Sequence, residues 1–363
     1  MDLKTFALPS QTVEVFTRIS GVTYASASIL DIWKSLSVTI SYYTANSFAA
    51  TILLTPENIK LFVPDTLLLI DGCFYYVDKV NCDNVQNGTF QVSGKSLFAK
   101  SSTRIVYRTY TQTKRPELIC YDHLRAEVVA PTDNKRKIAY LDVAAPGTLT
   151  SGTIQYQNSY GEVQEEIETL CDTYDFGFRE VGIFTNGTVK NQISFFKGRD
   201  LSGIVEFSAE FENVSEETYE NSNYDERTTA LIWGEGEGSD RKHTQVGNEL
   251  TGIDRKELYV DARDLQQEAM SDASYTETLK NRGKSKLAEN PRILAANGSV
   301  DLNSSLFVCG VDYEVGDRVK RTSTAFGLQD SQVLTSVTKT WDETGTYLDG
   351  VFGRESKVKI LGK

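Results

Sequence analysis

Few residues in this sequence have the types and spacing that catalysis or metal binding requires. Only two histidines occur, His123 and His243, and they lack the HExxH spacing of a zinc-dependent hydrolase. His123 falls in a predicted helix and His243 in a predicted polar loop beside Lys242, so we expect surface or helix-capping histidines rather than ligands. The GxSxG turn of a serine hydrolase is missing, and nothing in the sequence selects a Cys–His pair.

A GxGxG string is the nearest approach to a phosphate-binding loop. It consists of Gly234, Gly236 and Gly238, with Glu235 and Glu237 between the glycines. A phosphate needs hydrogen-bond donors and positive potential, and two carboxylates would repel it. We therefore interpret this string as an ordinary loop.

The acidic residues do not select a site either. Asp312, Glu314 and Asp317 loosely resemble a calcium loop, but their spacing is not that of an EF-hand. With 50 acidic residues, any pair of carboxylates would satisfy a glycosidase pattern, so the pattern selects none. We expect no catalytic residue, no cofactor and no metal site, and we predict that the chain is not an enzyme.

The composition is that of a soluble globular protein of two or three domains, with 363 residues, 40% of them hydrophobic and 24% charged. The net charge of −12 argues against nucleic-acid binding, because phosphate recognition needs a clustered positive surface. Five cysteines without a CxxC pair favour free, mostly buried thiols and folding in a reducing cytoplasm. We expect neither a signal peptide nor a membrane-spanning segment.

The first 110 residues have the pattern of short antiparallel strands. Residues 35–41 alternate between apolar and polar side chains, as in a half-buried strand. Residues 47–54 are apolar almost throughout, which predicts a strand buried on both faces. Asp71-Gly72 and Asn87-Gly88 are hairpin signals between flanking strands.

Two helices are expected next. Residues 116–129 have apolar positions at helical spacing after an initial proline. Residues 160–174 place apolar side chains on one face. The opposite face carries Glu162, Glu165, Glu166 and Glu168, and we interpret it as solvated.

From residue 176 the pattern is mainly β again, and Asn186-Gly187 predicts a third hairpin. Residues 205–208 and 228–233 are predicted strands, separated by a polar loop over residues 212–226. Residues 262–270 and 274–287 are predicted helices, the second with a capping box of Ser274 and Glu277. The remaining predicted strands cover residues 317–321, 332–339 and 345–352.

This order predicts an α+β, mostly β fold with two small antiparallel β-barrel-like domains and helical or mixed insertions, because the helices interrupt the strands rather than alternate with them. The predicted division has five segments. They are 1–110 (first barrel-like domain), 111–175 (mixed insertion), 176–253 (second β domain, first part), 254–290 (helical segment) and 291–363 (second β domain, C-terminal part).

Several short motifs resemble a known family when their order is considered. They are Lys197-Gly198-Arg199-Asp200-Leu201-Ser202, the Val205–Ser208 strand, Asp240-Arg241 after the glycine string, Phe176-Gly177-Phe178, Tyr259-Val260-Asp261-Ala262-Arg263-Asp264, Arg282-Gly283 and the Gly316-Asp317 segment. In this order and spacing the chain resembles the Gp37-like tail-hub proteins of siphophages that infect Gram-positive bacteria, whose N-terminal region is similar to the baseplate hub of contractile phages.

The resemblance implies a structural protein at the tail tip of the virion, made in the host cytoplasm. It implies a homotrimer in which two barrel-like domains per subunit present six similar units to the hexameric tail tube and distal tail ring. The distal tail protein, the tail tube and the tape-measure protein are the implied partners, with receptor-binding or tail-fibre proteins as further ones. Because the chain ends at Gly362-Lys363 after its last predicted strand, we expect no C-terminal lysin extension.

A carbohydrate-active protein of the tail tip, either a wall hydrolase or a saccharide-binding module, is the alternative. Trp33, Trp233 and Trp341 could stack on sugars, but they lie far apart in the sequence. Buried core positions are the expectation for all three.

Overall fold

A computed structural model describes residues 13–21, 23–30, 33–247, 249–300, 306–353 and 359–360. The N-terminal stretch that lacks a signal-peptide pattern and the residues at the C-terminal end, 361–363, lie outside these ranges. The helices of the described residues are α1 (Pro56–Leu61), α2 (Pro116–Leu124), α3 (Val163–Tyr174) and α4 (Asp272–Ala288).

The strands before α3 are β1 (Val13–Ser20), β2 (Thr23–Leu30), β3 (Trp33–Ser41), β4 (Ser47–Leu53), β5 (Leu67–Ile70), β6 (Cys73–Asn81), β7 (Thr89–Ser96), β8 (Thr109–Lys114), β9 (Leu141–Val143) and β10 (Ile154–Ser159). Those after α3 are β11 (Gly177–Thr185), β12 (Thr188–Phe196), β13 (Glu206–Phe207), β14 (Val214–Ser222), β15 (Thr229–Trp233), β16 (His243–Val246), β17 (Glu257–Asp261), β18 (Ile293–Val300), β19 (Arg318–Ser323), β20 (Leu328–Asp342), β21 (Gly345–Gly353) and β22 (Lys359–Ile360).

The fold is mostly β, and hydrogen bonds join 17 of the described strands into one sheet. In its first half the strands run β1–β5–β6–β7–β4–β3, all antiparallel. In its second half β20 pairs with β19 and β21, and β18 joins β21 to β14.

The 15-residue strand β20 connects the two halves. Its first part pairs with β19, from Leu328 to Val333, and its second part pairs with β3, from Ser336 to Asp342. Thr–Ser and Thr–Thr hydroxyl contacts cross this seam, Thr340 with Ser37 and Thr338 with Thr39, at 2.9 Å each. A continuous ladder of backbone hydrogen bonds therefore holds the halves together.

Four hydrophobic clusters fill the interior. The first lies among β1 and β3–β7, with Val38, Phe48 and Val77 buried. The second packs α2 and α3 against the β11–β12 hairpin. The third lies beneath β13, β14 and β19–β21, and the fourth packs α4 on a small sheet of order β16–β15–β17.

The hairpins with two-residue turns form as predicted. Asp71 and Gly72 have φ values of 51° and 73°, and Asn186 and Gly187 have 51° and 76°. Both turns therefore have the positive φ at two successive residues that a type I′ turn needs. The hairpin predicted at Asn87-Gly88 also forms, since β6 and β7 pair, but its connection is longer than two residues and contains a 3-10 turn over Val85–Asn87.

The helix predictions are partly confirmed. Helices α2 and α3 form, and α2 continues as a π-helical turn over Arg125–Val129. The helix expected over residues 262–270 is absent, since turns occupy that segment. Helix α4 begins earlier than predicted, because the side chain of Ser271, not Ser274, accepts the capping hydrogen bond.

Two strand expectations need correction. The predicted polar loop over residues 212–226 contains β14, which pairs with β18. The expected burial of residues 47–54 on both faces is wrong, since Phe48, Ala50 and Ile52 are buried while Ala49 and Leu53 are exposed. Pairing with a distant strand and packing on one face decide both cases, and the local sequence shows neither.

Candidate functional site

The Lys197–Ser202 motif meets the Gly316–Val319 motif at a joint around Tyr42. The backbone N–H of Gly198 donates to the Tyr42 hydroxyl at 3.0 Å. A methyl group at Gly198 would overlap the carbonyl oxygen of Gly316, and one at Gly316 would lie 2.6 Å from the Tyr42 ring. Gly177 also has no room for a side chain beside this ring. Gly177 and Gly316 are therefore needed for close approach to Tyr42, and Gly198 for close approach to the backbone of Gly316.

The buried carboxylate of Asp317 stabilises the same joint through hydrogen bonds to Arg199. Asp317 is 1% exposed and accepts from the backbone N–H of Arg199 at 2.7 Å. The Arg199 guanidinium also donates to it, with 2.5 Å between Nη2 and Oδ2. The backbone N–H of Arg318 donates to the Arg199 carbonyl oxygen at 2.8 Å. These bonds connect the β12–β13 segment to the start of β19.

The second pair of motifs meets on the small sheet. Arg241, after the glycine string, donates to the Gly234 carbonyl oxygen at 3.0 Å and to Asp261 at 2.9 Å. Arg263 donates to Asp261 at 2.6 Å. Hydrogen bonds from Arg263 and then from Arg241 lower the pKa of Asp261 to about 2. The glycine string is thus a loop, as predicted, and Arg241 holds it in place, which was not predicted.

The prediction of surface histidines is wrong for His123 and correct for His243, which is exposed. His123 is fully buried, so it is neither a surface nor a capping residue. Neither ring nitrogen has a hydrogen-bond partner, and the ring lies 4.8 Å from that of Tyr110 and 5.9 Å from that of Tyr156. Burial lowers the pKa of His123 to about 3, so the ring is neutral. His243 begins β16 rather than lying in a loop, and it stacks on Trp233 at 4.7 Å.

All five cysteines are described and are free thiols. Cys73, Cys120 and Cys171 are buried, whereas Cys82 is exposed. Burial raises the pKa of the Cys73 and Cys171 thiols. A buried thiol in these surroundings is a poor nucleophile, since the thiolate is the reactive form.

The solvated face assigned to α3 is only partly correct. Glu165 is exposed, but Glu166 accepts from the Tyr156 hydroxyl and Glu168 accepts from the Ala45 backbone N–H at 3.0 Å. Burial raises the pKa of both Glu166 and Glu168. A signal was available for Glu166, which is four residues before the buried Leu170 and so borders the apolar face.

Glu180 is a buried carboxyl group that the sequence analysis did not single out. It accepts from the backbone N–H of Phe98 at 2.9 Å and from the Asn191 amide at 2.8 Å. Asn191 is itself fully buried and hydrogen-bonded to the backbone of Phe74. Burial raises the pKa of Glu180. These partners lie far apart in the sequence, so no local pattern reveals them.

The acidic residues of the loose calcium pattern do not converge. Glu314 pairs with Arg179 at 2.6 Å and Asp317 pairs with Arg199, while Asp312 accepts from the Val308 backbone N–H. No group of three or more His, Cys, Asp or Glu side chains among the described residues is arranged to hold a metal ion.

The tryptophans do not form one surface. The side chain of Trp33 lies outside the described part, and Trp233 is half-buried under His243. Trp341 is also half-buried and packs against the first hydrophobic cluster. The expectation of buried core positions is therefore partly met by Trp341, which packs at the edge of the core, and is not met by Trp233.

A cavity of about 290 Å³ lies where the seam of β3 and β20 meets β11. Ile40, Val181 and Val337 form part of its apolar wall. Two ion pairs line it, Lys339 with Asp71 and Arg179 with Glu314, each with 2.6 Å between nitrogen and oxygen. Within the described ranges, no helix is both long enough and apolar enough to cross a membrane.

Comparison with known proteins identifies the family of the chain. The family model for the siphovirus ReqiPepy6 Gp37-like protein matches residues 12–354. No curated protein matches the sequence significantly.

Three solved tail proteins have a similar fold, each with a TM-score of 0.53. The tail protein from Neisseria meningitidis MC58 is 12% identical, with 95% of this chain and 97% of that chain covered. Prophage tail protein gp18 from Listeria monocytogenes EGD-e is 14% identical, with 96% of each chain covered. The 43 kDa tail protein of prophage MuSo2 from Shewanella oneidensis is 11% identical, with 95% and 97% covered. The chain therefore belongs to the siphovirus Gp37-like family and has the fold of phage tail proteins.

Proposed function

We propose that this chain is the structural hub of a phage tail tip, a homotrimer whose ring closes the tail tube and adapts it to the hexameric distal tail ring. The observation that carries the proposal is the seam between β20 and β3, which joins two β units within one subunit. Two rigidly joined units per subunit give six per trimer, which is the number a hexameric neighbour requires.

Each unit has its own hydrophobic cluster, which supports a pair of barrel-like domains. The first unit consists of β1 and β3–β7, and the second of β13, β14 and β18–β21. The five-segment division at residues 110, 175, 253 and 290 remains part of the proposal. The β11–β12 hairpin, although in the third segment, packs on the second cluster with α2 and α3.

The proposed setting is the virion tail tip, after synthesis in the host cytoplasm. The proposed partners are the distal tail protein ring, the tail tube and the tape-measure protein, with receptor-binding or tail-fibre proteins as further neighbours. A net charge of −12 does not favour sequence-specific DNA contact. The role is assembly rather than catalysis, and the paired motifs at Tyr42 and Arg241 serve rigidity.

The solution mass tests the proposal, measured by light scattering coupled to size exclusion over a wide concentration range. We expect a mass near three times 40.5 kDa. A second run adds the distal tail protein of the same phage, and we expect a complex with three copies of this chain and six of that protein. A monomer at every concentration, with no complex on mixing, contradicts the hub function.

A further inference from the structure

A second cavity, of about 310 Å³, lies where β10, α3 and α4 meet. Its base includes Gln157 and Leu170, which are buried, and its mouth includes Tyr160 and Glu165, which are exposed. The volume is at the small end of the range for small-molecule sites. This cavity is separate from the joints at Tyr42 and Arg241.

The side chain of Gln157 is the feature that points to a ligand. It is 3% exposed and lines the cavity, yet neither its amide nitrogen nor its amide oxygen has a hydrogen-bond partner. Buried polar groups are almost always hydrogen-bonded, because burial removes their hydrogen bonds to water and an unreplaced bond costs free energy. An amide with both a free donor and a free acceptor suits a group that can accept and donate, such as a hydroxyl.

The charged groups of the cavity argue against an ionic ligand. Arg282 pairs with Asp264 at 3.0 Å, and Lys286 pairs with Glu289 at 2.8 Å. Glu166 accepts from the Tyr156 hydroxyl. The positive charges are therefore already matched by carboxylates, which leaves little attraction for a phosphate or a carboxylate ligand.

We infer that this cavity binds one neutral sugar unit. Sugar hydroxyls both donate and accept, which matches the unpaired amide of Gln157 at the base. The apolar face of a sugar ring suits the aromatic rings of Tyr160 and Tyr174 in the lining. The inference concerns binding without hydrolysis, and it stands independently of the hub function, because the cavity belongs to a single chain.

Isothermal titration calorimetry tests the site in the full chain. The probes are glucose, galactose, N-acetylglucosamine and rhamnose, with inorganic phosphate and glucose 6-phosphate as charged probes. We expect at least one neutral sugar to bind and Gln157→Leu to weaken it about tenfold or more. The matched control, Gln86→Leu, changes an exposed glutamine far from the cavity and should bind as the wild type does. No binding by any neutral sugar, tighter binding by the charged probes, or equal loss in the control overturns the inference.

Hydrogen exchange of the wild-type chain provides a readout that does not depend on the variant folding. A bound sugar should slow exchange in Ile154–Ser159, Val163–Tyr174 and Asp272–Ala288, the three elements that line the cavity, and leave β3 and β20 unchanged. Purified host wall polysaccharide is tested in parallel with the monosaccharides. Protection by the polysaccharide indicates that the natural ligand is a terminal unit of a glycan, whereas protection by the monosaccharides alone indicates a free sugar. Protection elsewhere in the chain contradicts the assigned site.

Discussion

The hydroxyl of Tyr42 accepts a hydrogen bond from the backbone N–H of Gly198 at 3.0 Å, at the end of the strand that carries the seam to β20. Tyr42 is 1% exposed, and burial raises its pKa, so the phenol stays protonated. One side chain thereby connects β3, the β12–β13 segment and the start of β19. The stability of this joint is open to direct measurement.

Tyr42→Phe removes the acceptor of the half-buried Gly198 N–H. We expect a loss of about 1 kcal/mol in the free energy of unfolding, which is the usual contribution of such a hydrogen bond. Urea unfolding followed by tyrosine or tryptophan fluorescence measures it. Tyr224→Phe, at a residue 86% exposed, is the control and should be neutral. Equal stability of the two variants would refute the role of the Tyr42 hydroxyl.

Gly198→Ala places a methyl group against the Gly316 carbonyl oxygen, and backbone cannot move aside as a side chain can. We expect destabilisation of about 1–3 kcal/mol or more. Gly203→Ala is the matched control, since no atom lies within 4 Å of the added methyl group. Thermal unfolding of both variants gives the comparison, and a Gly198→Ala protein as stable as the control would show that the joint is loose.

His123 makes stability depend on pH in a predictable direction. Its folded pKa of about 3 lies below the ordinary value of 6.5, so the unfolded chain binds the proton more tightly. Stability contributed by the neutral ring is present above 6.5 and is lost as the pH falls from there towards 3. His123→Leu, which also removes two unpaired nitrogens, should flatten this slope and leave stability near neutral pH unchanged or higher.

Urea unfolding between about pH 7 and about pH 4 checks the slope of the wild type and of His123→Leu. His243→Leu, at an exposed position, serves as the control and should keep the wild-type slope. If His123→Leu loses stability on acidification as steeply as the wild type, the buried histidine is not the cause.

Arg241→Lys should loosen the glycine string without unfolding the small sheet. Lysine keeps the charge but lacks the fork that reaches the carbonyl oxygens of Trp233 and Gly234 together with Asp261. We expect amide exchange in residues 235–240 to become faster, with β15 unaffected. Lys242→Arg, a charge-conserving change at the next residue, is the control. Unchanged exchange in the string would mean that its own turns hold it.

Local rules predicted the parts of the fold that local chemistry determines. Asp-Gly and Asn-Gly pairs strongly favour type I′ turns, and turns with positive φ at both residues form at Asp71-Gly72 and Asn186-Gly187. β14 escaped prediction because its polar sequence is a strand only through its partner β18, which is distant in the sequence. The prediction of a surface position for His123 was wrong for the same reason, since its burial depends on packing against Tyr110 and Tyr156.

The motifs that form the joints could be recognised in the sequence, but their contacts with one another could not. Lys197–Ser202 and Gly316-Asp317 are separate motifs in the sequence. Neither motif by itself indicates that Arg199 of the first contacts Asp317 of the second. A glycine in such a motif indicates that another group packs closely against the backbone, but the sequence does not show which group it is. The same limit hid Glu180, whose partners are the distant Phe98 and, across the β11–β12 hairpin, Asn191.

The pairing of β14 with β18 has a consequence for how such chains diversify. Ser222 and Ile293 are cross-strand neighbours, so the polypeptide leaves the large sheet and returns to it at adjacent points. The segment between them, which includes the small sheet and α4, leaves the large sheet through this two-stranded stem, and α4 also packs against β10 and α3. A change of length in the exposed loops of this segment therefore need not shift the register of the strands that carry it, whereas a change in α4 would disturb its contact with β10.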